Sequence, residues 1–375
     1  MKLLVLADGA AGAGETRVAA VPDTVKALVK KGLDVVVVRG AGQGSFLSDD
    51  AYQAAGATLA DSAAEAARDA DIVLSVRRPP ADVIAALKPG AVVIGQLDPY
   101  GPREPIEQIA GQKAVAFAME LMPRITRAQS MDVLSSQANL AGYKAVIDAA
   151  ATFGRALPMM MTAAGTVPAA RAFIMGVGVA GLQAIATARR LGAVVTATDV
   201  RRAAAEQVQS LGAKFIMVDA EGEDLETKGG YAKEMSEDYQ RRQAALVAEH
   251  IKAQDIVITT ALIPGRPAPR LITAAMVESM KPGSVIVDLA VERGGNVELS
   301  KPGETVVHNG VTILGHLNLA GRLAGNASPL YAKNLTNFLD VIVKDGALAI
   351  DWDDEIIQGT ALTKDGEIIH PALKG

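Results

Sequence analysis

Short, unbroken apolar runs recur along the chain, separated by alanine-rich stretches with polar residues at helical spacing. From Met1 to Glu120 the runs "LLVLA", "DVVVVRG", "DIVLSV", "AVVIGQ" and "AVAFAME" read as strands buried on both faces, because they lack the alternation of a half-exposed strand. "DTVKALVKKG", "DDAYQAAGA" and "SAAEAARDA" read as the helices between them. A second series with the same grammar starts at "RAFIMGVGVAGLQAIATARRLGAVVTATDV", Arg171 to Val200, and continues through "KFIMV", "DIVITTAL", "SVIVDLAV" and "GVTILGH". The expected fold is α/β, with two doubly wound Rossmann-like domains built on parallel sheets and joined by two long helices.

The first joining helix is predicted in "SSQANLAGYKAVIDAAATFGRALPM", ending before Pro158. The second, "ASPLYAKNLTNFLDVIVKDG", is predicted to start at Ser328 as cap with Pro329 in the first turn. Helices bracketing the second series imply a discontinuous first domain, residues 1–137 plus 328–375, and a second domain, residues 138–327. The first crossing then carries "MPRITRAQSMDVLSSQ", Met122 to Gln137, at the mouth of an expected interdomain cleft.

Composition narrows the function classes. Half of the 375 residues are hydrophobic but only 3% are aromatic, so the cores are expected to be packed with small aliphatic side chains. A net charge of −5 without a basic stripe argues against nucleic acid as a partner. The absence of cysteine excludes disulfides, thiolate nucleophiles and cysteine-ligated metals, and fits a reducing cytoplasm. No window approaches 18 apolar residues and the N-terminus lacks a signal-peptide core, so no direct membrane insertion is expected.

Gly176, Gly178 and Gly181 form the run G-V-G-V-A-G, with Val179 and Ala180 inside it, directly after one strand and before one helix. In that setting the three glycines allow a tight turn, close approach of backbone to a pyrophosphate, and close helix–strand packing. The helix N-terminus faces the phosphate charge. Asp199 ends the next strand at the spacing expected for a carboxylate that binds ribose hydroxyls, which favours NAD(H); Arg201 and Arg202 nearby are the feature that would instead accommodate NADP(H). The polar stretch Asp219 to Tyr239, with Gly229-Gly230 beside Tyr231, reads equally as a solvated insertion or as a lid over bound nucleotide.

Catalytic groups of the usual kinds are scarce. His250, His308, His316 and His370 have no metal-ligand spacing, and no metal is expected; only His316, just past a strand, is placed near a cleft. No nucleophile elbow or phosphate-binding Walker loop occurs. Arg124, Arg127, Gln129, Asp132, Ser135 and Ser136 have two readings: they orient a carboxamide ring and clamp ribose or phosphate, or they cap the long helix with Ser135 or Ser136 as N-cap.

At this point the chain resembles a family. "AMELMPRITRAQSMDVLSSQANLAGYKAVIDAA", "PMMMTAAGTVPAARAFIMGVGVAGLQAIATARRLGAVVTATDVR", "GGYAKEM" and "ITTALIPGRPAPRLIT" look like the NAD(H)-binding domain I of proton-translocating nicotinamide nucleotide transhydrogenases, in the form of the separate soluble subunit found where the alpha polypeptide is split. The resemblance implies a Si-specific oxidoreductase and translocase, active only with partner subunits. Hydride would pass directly from NADH bound here to NADP⁺ on an NADP(H)-binding beta subunit, coupled to proton translocation by membrane-spanning subunits. A homodimer is implied, held peripherally on the cytoplasmic face of the inner membrane through those partners. By the same resemblance Arg124, Gln129, Asp132 and Ser135 match the hydride-transfer loop. The glycine motif and Asp199-Val200-Arg201 match the NAD cradle, Gly230-Tyr231 the mobile loop, and Gln243 and Leu262 positions lining the nucleotide.

Alanine dehydrogenases are next by fold. They use a lysine in a V-K-x-K-E-P-like run and a histidine in a Y-L-H-L-A-like run, where this chain has "LSVRRPP" and "IGQLDPYG". The base and carbonyl-polarising group of an amino-acid dehydrogenase are thus missing. "LADGAAGAG" before "ETRVA" departs from the K-E-containing start of both families, which puts the first domain's substrate pocket in question but not the nucleotide site. A non-catalytic module that senses NAD(H) for a partner is the third reading.

Overall fold

The computed structural model describes residues 1–11, 14–218 and 236–374. The chain divides into two compact units, Met1–Gln137 with Ala320–Gly375, and Ala138–Leu319. In the first unit, β1 (Lys2–Val5), β2 (Asp34–Val38), β3 (Thr58–Ala60), β4 (Ile72–Leu74), β5 (Val92–Gly95) and β6 (Val115–Ala118) lie parallel in the order β6-β5-β4-β1-β2-β3. Between them run α1 (Pro22–Lys30), α2 (Asp49–Ala54), α3 (Ala63–Ala67), α4 (Ala81–Ala86) and α5 (Glu104–Gly111). Three-residue β3 is too short to show a period in sequence.

The inner strands are apolar because both faces are covered, with polar residues only where β1 and β2 begin, at Lys2 and Asp34; edge strand β3 has no buried residue. Leu3, Val5, Val35, Val37, Ile94 and Phe117 pack with Leu335, Phe338 and Leu339 on one face. Leu4, Val36, Val73 and Val93 pack with Val83, Ile84, Ile106 and Ile109 on the other.

Helix α6 (Val133–Thr152) carries the chain over the boundary between the units. The second unit opens with a hairpin of β7 (Met160–Thr162) and β8 (Gly165–Val167), a feature without a sequence counterpart. There follow β9 (Arg171–Met175), α7 (Val179–Arg190), β10 (Val194–Thr198), α8 (Ala204–Ser210), β11 (Lys214–Phe215), α9 (Glu237–Ile251), β12 (Ile256–Thr259), α10 (Ala274–Ser279), β13 (Val285–Asp288), β14 (Thr305–His308) and β15 (Val311–Leu314). The sheet order is β11-β10-β9-β12-β13-β15-β14, parallel except for β14, whose half-exposed residues do not form a buried apolar run. In both units the strand order reverses beside the first strand, at β1/β4 and at β9/β12, the topological position where such sheets take ligands.

The chain re-enters the first unit at Ala320, and helix α11 (Ala324–Ile342) follows within it, then the small β16 (Val343–Lys344) and β17 (Ala347–Leu348) pair and α12 (Glu355–Thr360). Then β18 (Ala361–Lys364) adds antiparallel to β6, and β19 (Glu367–Ile368) completes an eight-stranded sheet. The expected Ser328-Pro329 start is corrected: α11 begins at Ala324, and Pro329 lies inside it. Ser328 is fully buried, its hydroxyl accepting the Val18 N–H at 3.0 Å and lying 2.7 Å from the Ser45 hydroxyl, so tertiary hydrogen bonds rather than a cap fix its place. No helix among the described residues is long and apolar enough to cross a membrane.

Candidate nucleotide site

The glycine run forms the turn between β9 and α7, and its three glycines answer to three different constraints. Gly176 has φ +97°, and a β-carbon there would lie 2.5 Å from the Thr260 hydroxyl oxygen. A β-carbon on Gly181 would collide with the Gly176 carbonyl oxygen, so this glycine lets α7 close onto the turn. At Gly178, the N-cap of α7, a β-carbon meets nothing. A position open to the outside at a helix N-terminus is where a phosphate approaches the backbone. Val179 and Ala180 follow as the first residues of α7.

The first turn of α7 is also backed from behind. A β-carbon at Gly142, in the middle of α6, would collide with the Ala180 carbonyl oxygen. Gly142 is absent from the expected site, although an isolated glycine in a helical run signals a close approach.

Asp199 follows β10 and ties its end to the turn. Its Oδ2 accepts the Val177 N–H at 2.7 Å and Arg201 Nη2 at 2.9 Å. Its Oδ1 accepts Arg201 N and Nε, both at 2.9 Å, while Arg201 Nη2 also donates to the Val177 carbonyl at 3.1 Å. The four acceptor positions of the carboxylate are all used by protein donors. In this arrangement Asp199 holds the turn, and it reaches a ribose only if Arg201 shifts. Val200 packs against the buried ring of Tyr239, and Gln243 Nε2 donates to the Thr198 hydroxyl at 2.9 Å, so α9 is keyed to the same strand end.

On the other side of β9, the Thr260 hydroxyl donates to the Gly176 carbonyl at 3.1 Å, and Leu262 two residues on is half exposed. Gly176, Gly178, Gly181, Asp199, Val200, Arg201, Gln243 and Leu262 thus gather at the C-terminal ends of β9, β10 and β12. Gly230 and Tyr231 lie outside the described residues.

The expected hydride-transfer residues belong to the other unit. Thr126–Met131 forms a 3-10 helix anchored by buried Ala128 and Met131, and it runs into α6. Arg124 and Gln129 are exposed, and Asp132 and Ser135 are half-buried. The expected cap is corrected: Asp132 precedes α6 and accepts the Ser135 N–H at 2.9 Å and the Ser135 hydroxyl at 2.5 Å, so neither Ser135 nor Ser136 is the N-cap. Apolar Val133 and Leu134 hide the helix start in the sequence. Ser136 instead bonds Asn334 Oδ1 at 2.8 Å. Arg127 forms a two-pronged pair with Asp354 at 2.7 Å, which holds that carboxyl below the usual range. It therefore anchors the 3-10 helix to the start of α12.

In the first unit the carboxyls of Asp8 and Glu15, in the segment after β1, are buried, and that of Glu120, just past β6, is half-buried. Burial pushes the Glu15 carboxyl up, but Arg17 and Arg77 more than offset this and hold it at about 2. Asp8, whose carboxylate accepts the Val76 and Arg77 N–H groups, is pushed up to about 7 by burial. Glu120, accepting the Leu97 and Asp98 N–H groups, is likewise raised by burial to about 7. Arg78 donates to the Leu97 and Asp98 carbonyls.

Two Rossmann-type units in one chain, one bearing a glycine turn of this geometry, define a two-domain α/β protein of the dinucleotide-binding class. The chain belongs to the alanine dehydrogenase/PNT family, an oxidoreductase family: its N-terminal domain matches residues 11–141 and its C-terminal domain residues 145–371. It is 58% identical over 370 residues, 96% of each chain, to the first of the split alpha-subunit chains of the NAD(P) transhydrogenase of Rhodospirillum rubrum. The transhydrogenase structure from Sinorhizobium meliloti superposes with a TM-score of 0.86 at 57% identity, covering 99% of this chain and 100% of that one. An L-alanine dehydrogenase structure, at 24% identity and TM-score 0.84 over 100% of this chain and 98% of its own, shares the fold. The resemblance to transhydrogenase domain I and the two-domain α/β fold expected from the sequence are both met.

Proposed function

We propose that this chain is the NAD(H)-binding subunit of a proton-translocating transhydrogenase. On this reading hydride passes directly between NADH held at the β9–α7 turn and NADP⁺ held on a separate beta subunit, with proton movement supplied by membrane-spanning subunits. The observation that carries it is the glycine turn, where two positions exclude a β-carbon and Gly178 leaves one face open, in a chain 58% identical to a transhydrogenase alpha-subunit chain. The nicotinamide ring supplies the hydride chemistry, so the protein needs no side-chain acid or base for the central step. Its residues bind, orient and exclude water.

Gly176, Gly178, Gly181, Val179 and Ala180 are assigned to the pyrophosphate, Asp199, Val200 and Arg201 to the adenosine ribose side, and Gln243 and Leu262 to the walls. Gly230 and Tyr231 are assigned to the loop that covers the nucleotide. Arg124, Gln129, Asp132 and Ser135 are assigned to the nicotinamide. The domain limits 1–137 plus 328–375 and 138–327 belong to the same reading. A homodimer is supported by the β7–β8 hairpin and the residue before it, where Met161 and Met159 are exposed at 79% and 62%. The proposed place is the cytoplasmic face of the inner membrane, reached through the partner subunits.

An amino-acid dehydrogenase is disfavoured by a specific arrangement. Arg77 is paired with Glu15 and Arg78 with two carbonyls, so neither stands as a lysine-like base. Titration with NADH and NADPH, followed by nicotinamide fluorescence, tests the reading. Saturation by NADH with NADPH at least about tenfold weaker is expected. Failure to bind NADH, or NADH formation from L-alanine and NAD⁺, would overturn it. Deuterium on one face of C4 of the NADH, followed into the NADP⁺ acceptor on the partner subunit, reads the Si-specific assignment.

A further inference from the structure

A buried carboxamide holds the loop that follows β12. Asn296, fully buried after β13, accepts the Ala261 N–H on Oδ1 at 3.0 Å and donates through Nδ2 to the carbonyls of Ala261 at 2.9 Å and Pro269 at 2.8 Å. Both ends of the excursion 261–269 are thereby pinned to one side chain. The anchor is itself fixed. Asn296 N–H bonds Asp288 Oδ1 at 3.2 Å, and the Asn296 carbonyl accepts the N–H groups of Leu271 and Ile272 at 2.8 and 3.0 Å. Asp288, fully buried at the end of β13, also accepts the Val297 N–H at 3.1 Å and the Thr259 hydroxyl at 3.3 Å.

The pinned segment begins where the glycine turn ends, since Thr260 bonds the Gly176 carbonyl and Leu262 follows immediately after Ala261. Asp199 marks the β10 side of the turn, and Ala261–Leu262 marks the β12 side. A dinucleotide lying across the point where strand order reverses, with its adenosine ribose toward β10, carries its other half over the end of β12. Outside the sheet the segment has no ladder bonds to hold it there; three carboxamide bonds, with the Ala268 N–H donating to the Arg293 carbonyl at 2.8 Å, take their place.

We infer that Asn296 is a positioning residue for the nicotinamide half of the dinucleotide, acting by holding Ala261 and Leu262 at the β12 side of the site. The inference rests on the proposed NAD(H) site. It is tested in the full chain with Asn296→Asp, which keeps shape and removes both donors, by calorimetric titration with NADH and separately with ADP. NADH binding is expected to weaken about tenfold or more while ADP binding stays within about twofold. Equal weakening of both, or no change in either, overturns the inference while leaving the NAD(H) site standing. A wild-type chain that binds ADP but no NADH contradicts the site reading and this inference together. Should N296D fail to fold by circular dichroism, the test passes to Asn296→Ser, which buries no charge and keeps one donor; it must show the same split in smaller measure, and its absence overturns the inference.

Discussion

The Asp132 carboxylate accepts both the backbone N–H and the hydroxyl of Ser135, three residues on in the first turn of α6. Two of the residues assigned to the nicotinamide are therefore also the start of a long helix, and the two roles separate by substitution. Asp132→Ala removes the cap and is expected to lower stability by about 1 kcal/mol, whereas Asp132→Asn keeps a capping oxygen and stays near wild type. Both are expected to slow hydride transfer, because the carboxylate's charge is gone. Thermal unfolding beside a transfer assay checks this. An Asp132→Asn variant with normal transfer would leave Asp132 as a cap only.

Gly178 offers a cleaner separation of fold from binding. Its β-carbon would meet no protein atom, so Gly178→Ala is expected to fold with an unchanged melting temperature yet bind NADH more weakly. Gly181→Ala, directed at the Gly176 carbonyl, should lower both. Equal NADH affinity in wild type and Gly178→Ala would move the pyrophosphate away from this turn.

The class of each unit is legible in the sequence because buried parallel strands are continuous apolar runs, and the glycine turn because its spacing depends only on local backbone. Elements held by tertiary contacts are not legible. The true start of α11 depends on Ser328 meeting Val18 and Ser45, and the Arg127–Asp354 pair joins residues 227 apart in the chain. Asn296 and Gly142 act on backbone groups far along the chain, and each leaves only a weak mark, an asparagine after two glycines and a lone glycine in a helix.

The four protein donors on Asp199 predict the effect of Arg201→Ala. An arginine paired with the carboxylate masks its charge, so removing it should strengthen repulsion of a 2′-phosphate and raise the preference for NADH over NADPH. The ratio of the two dissociation constants is the readout. A lower ratio would make Arg201 itself the ribose-side recognition group.

Asp8 and Glu120 give the first unit a pH dependence. Each carboxyl is pushed up to about 7 by burial, so between roughly pH 4 and 7 the folded chain keeps protons that the unfolded chain has released. Their stabilising contribution is complete below about pH 4 and is lost as pH rises through 7. Asp8→Asn should therefore remove a slope of up to about 1.4 kcal/mol per pH unit in that window. Urea unfolding of wild type and variant at several pH values measures it, and a difference that stays constant with pH would contradict the assignment.

Hydride transfer in reconstituted form bears most directly on the central claim. The purified chain is loaded with NADH, mixed with an NADP(H)-binding partner subunit carrying an NADP⁺ analogue, and followed through a single turnover. The expected result is reduction of the analogue only when both are present, with Gln129→Ala slowing transfer by about a hundredfold while NADH affinity changes little. No transfer from the wild-type chain, or unchanged transfer with weakened NADH binding in Gln129→Ala, would contradict the account.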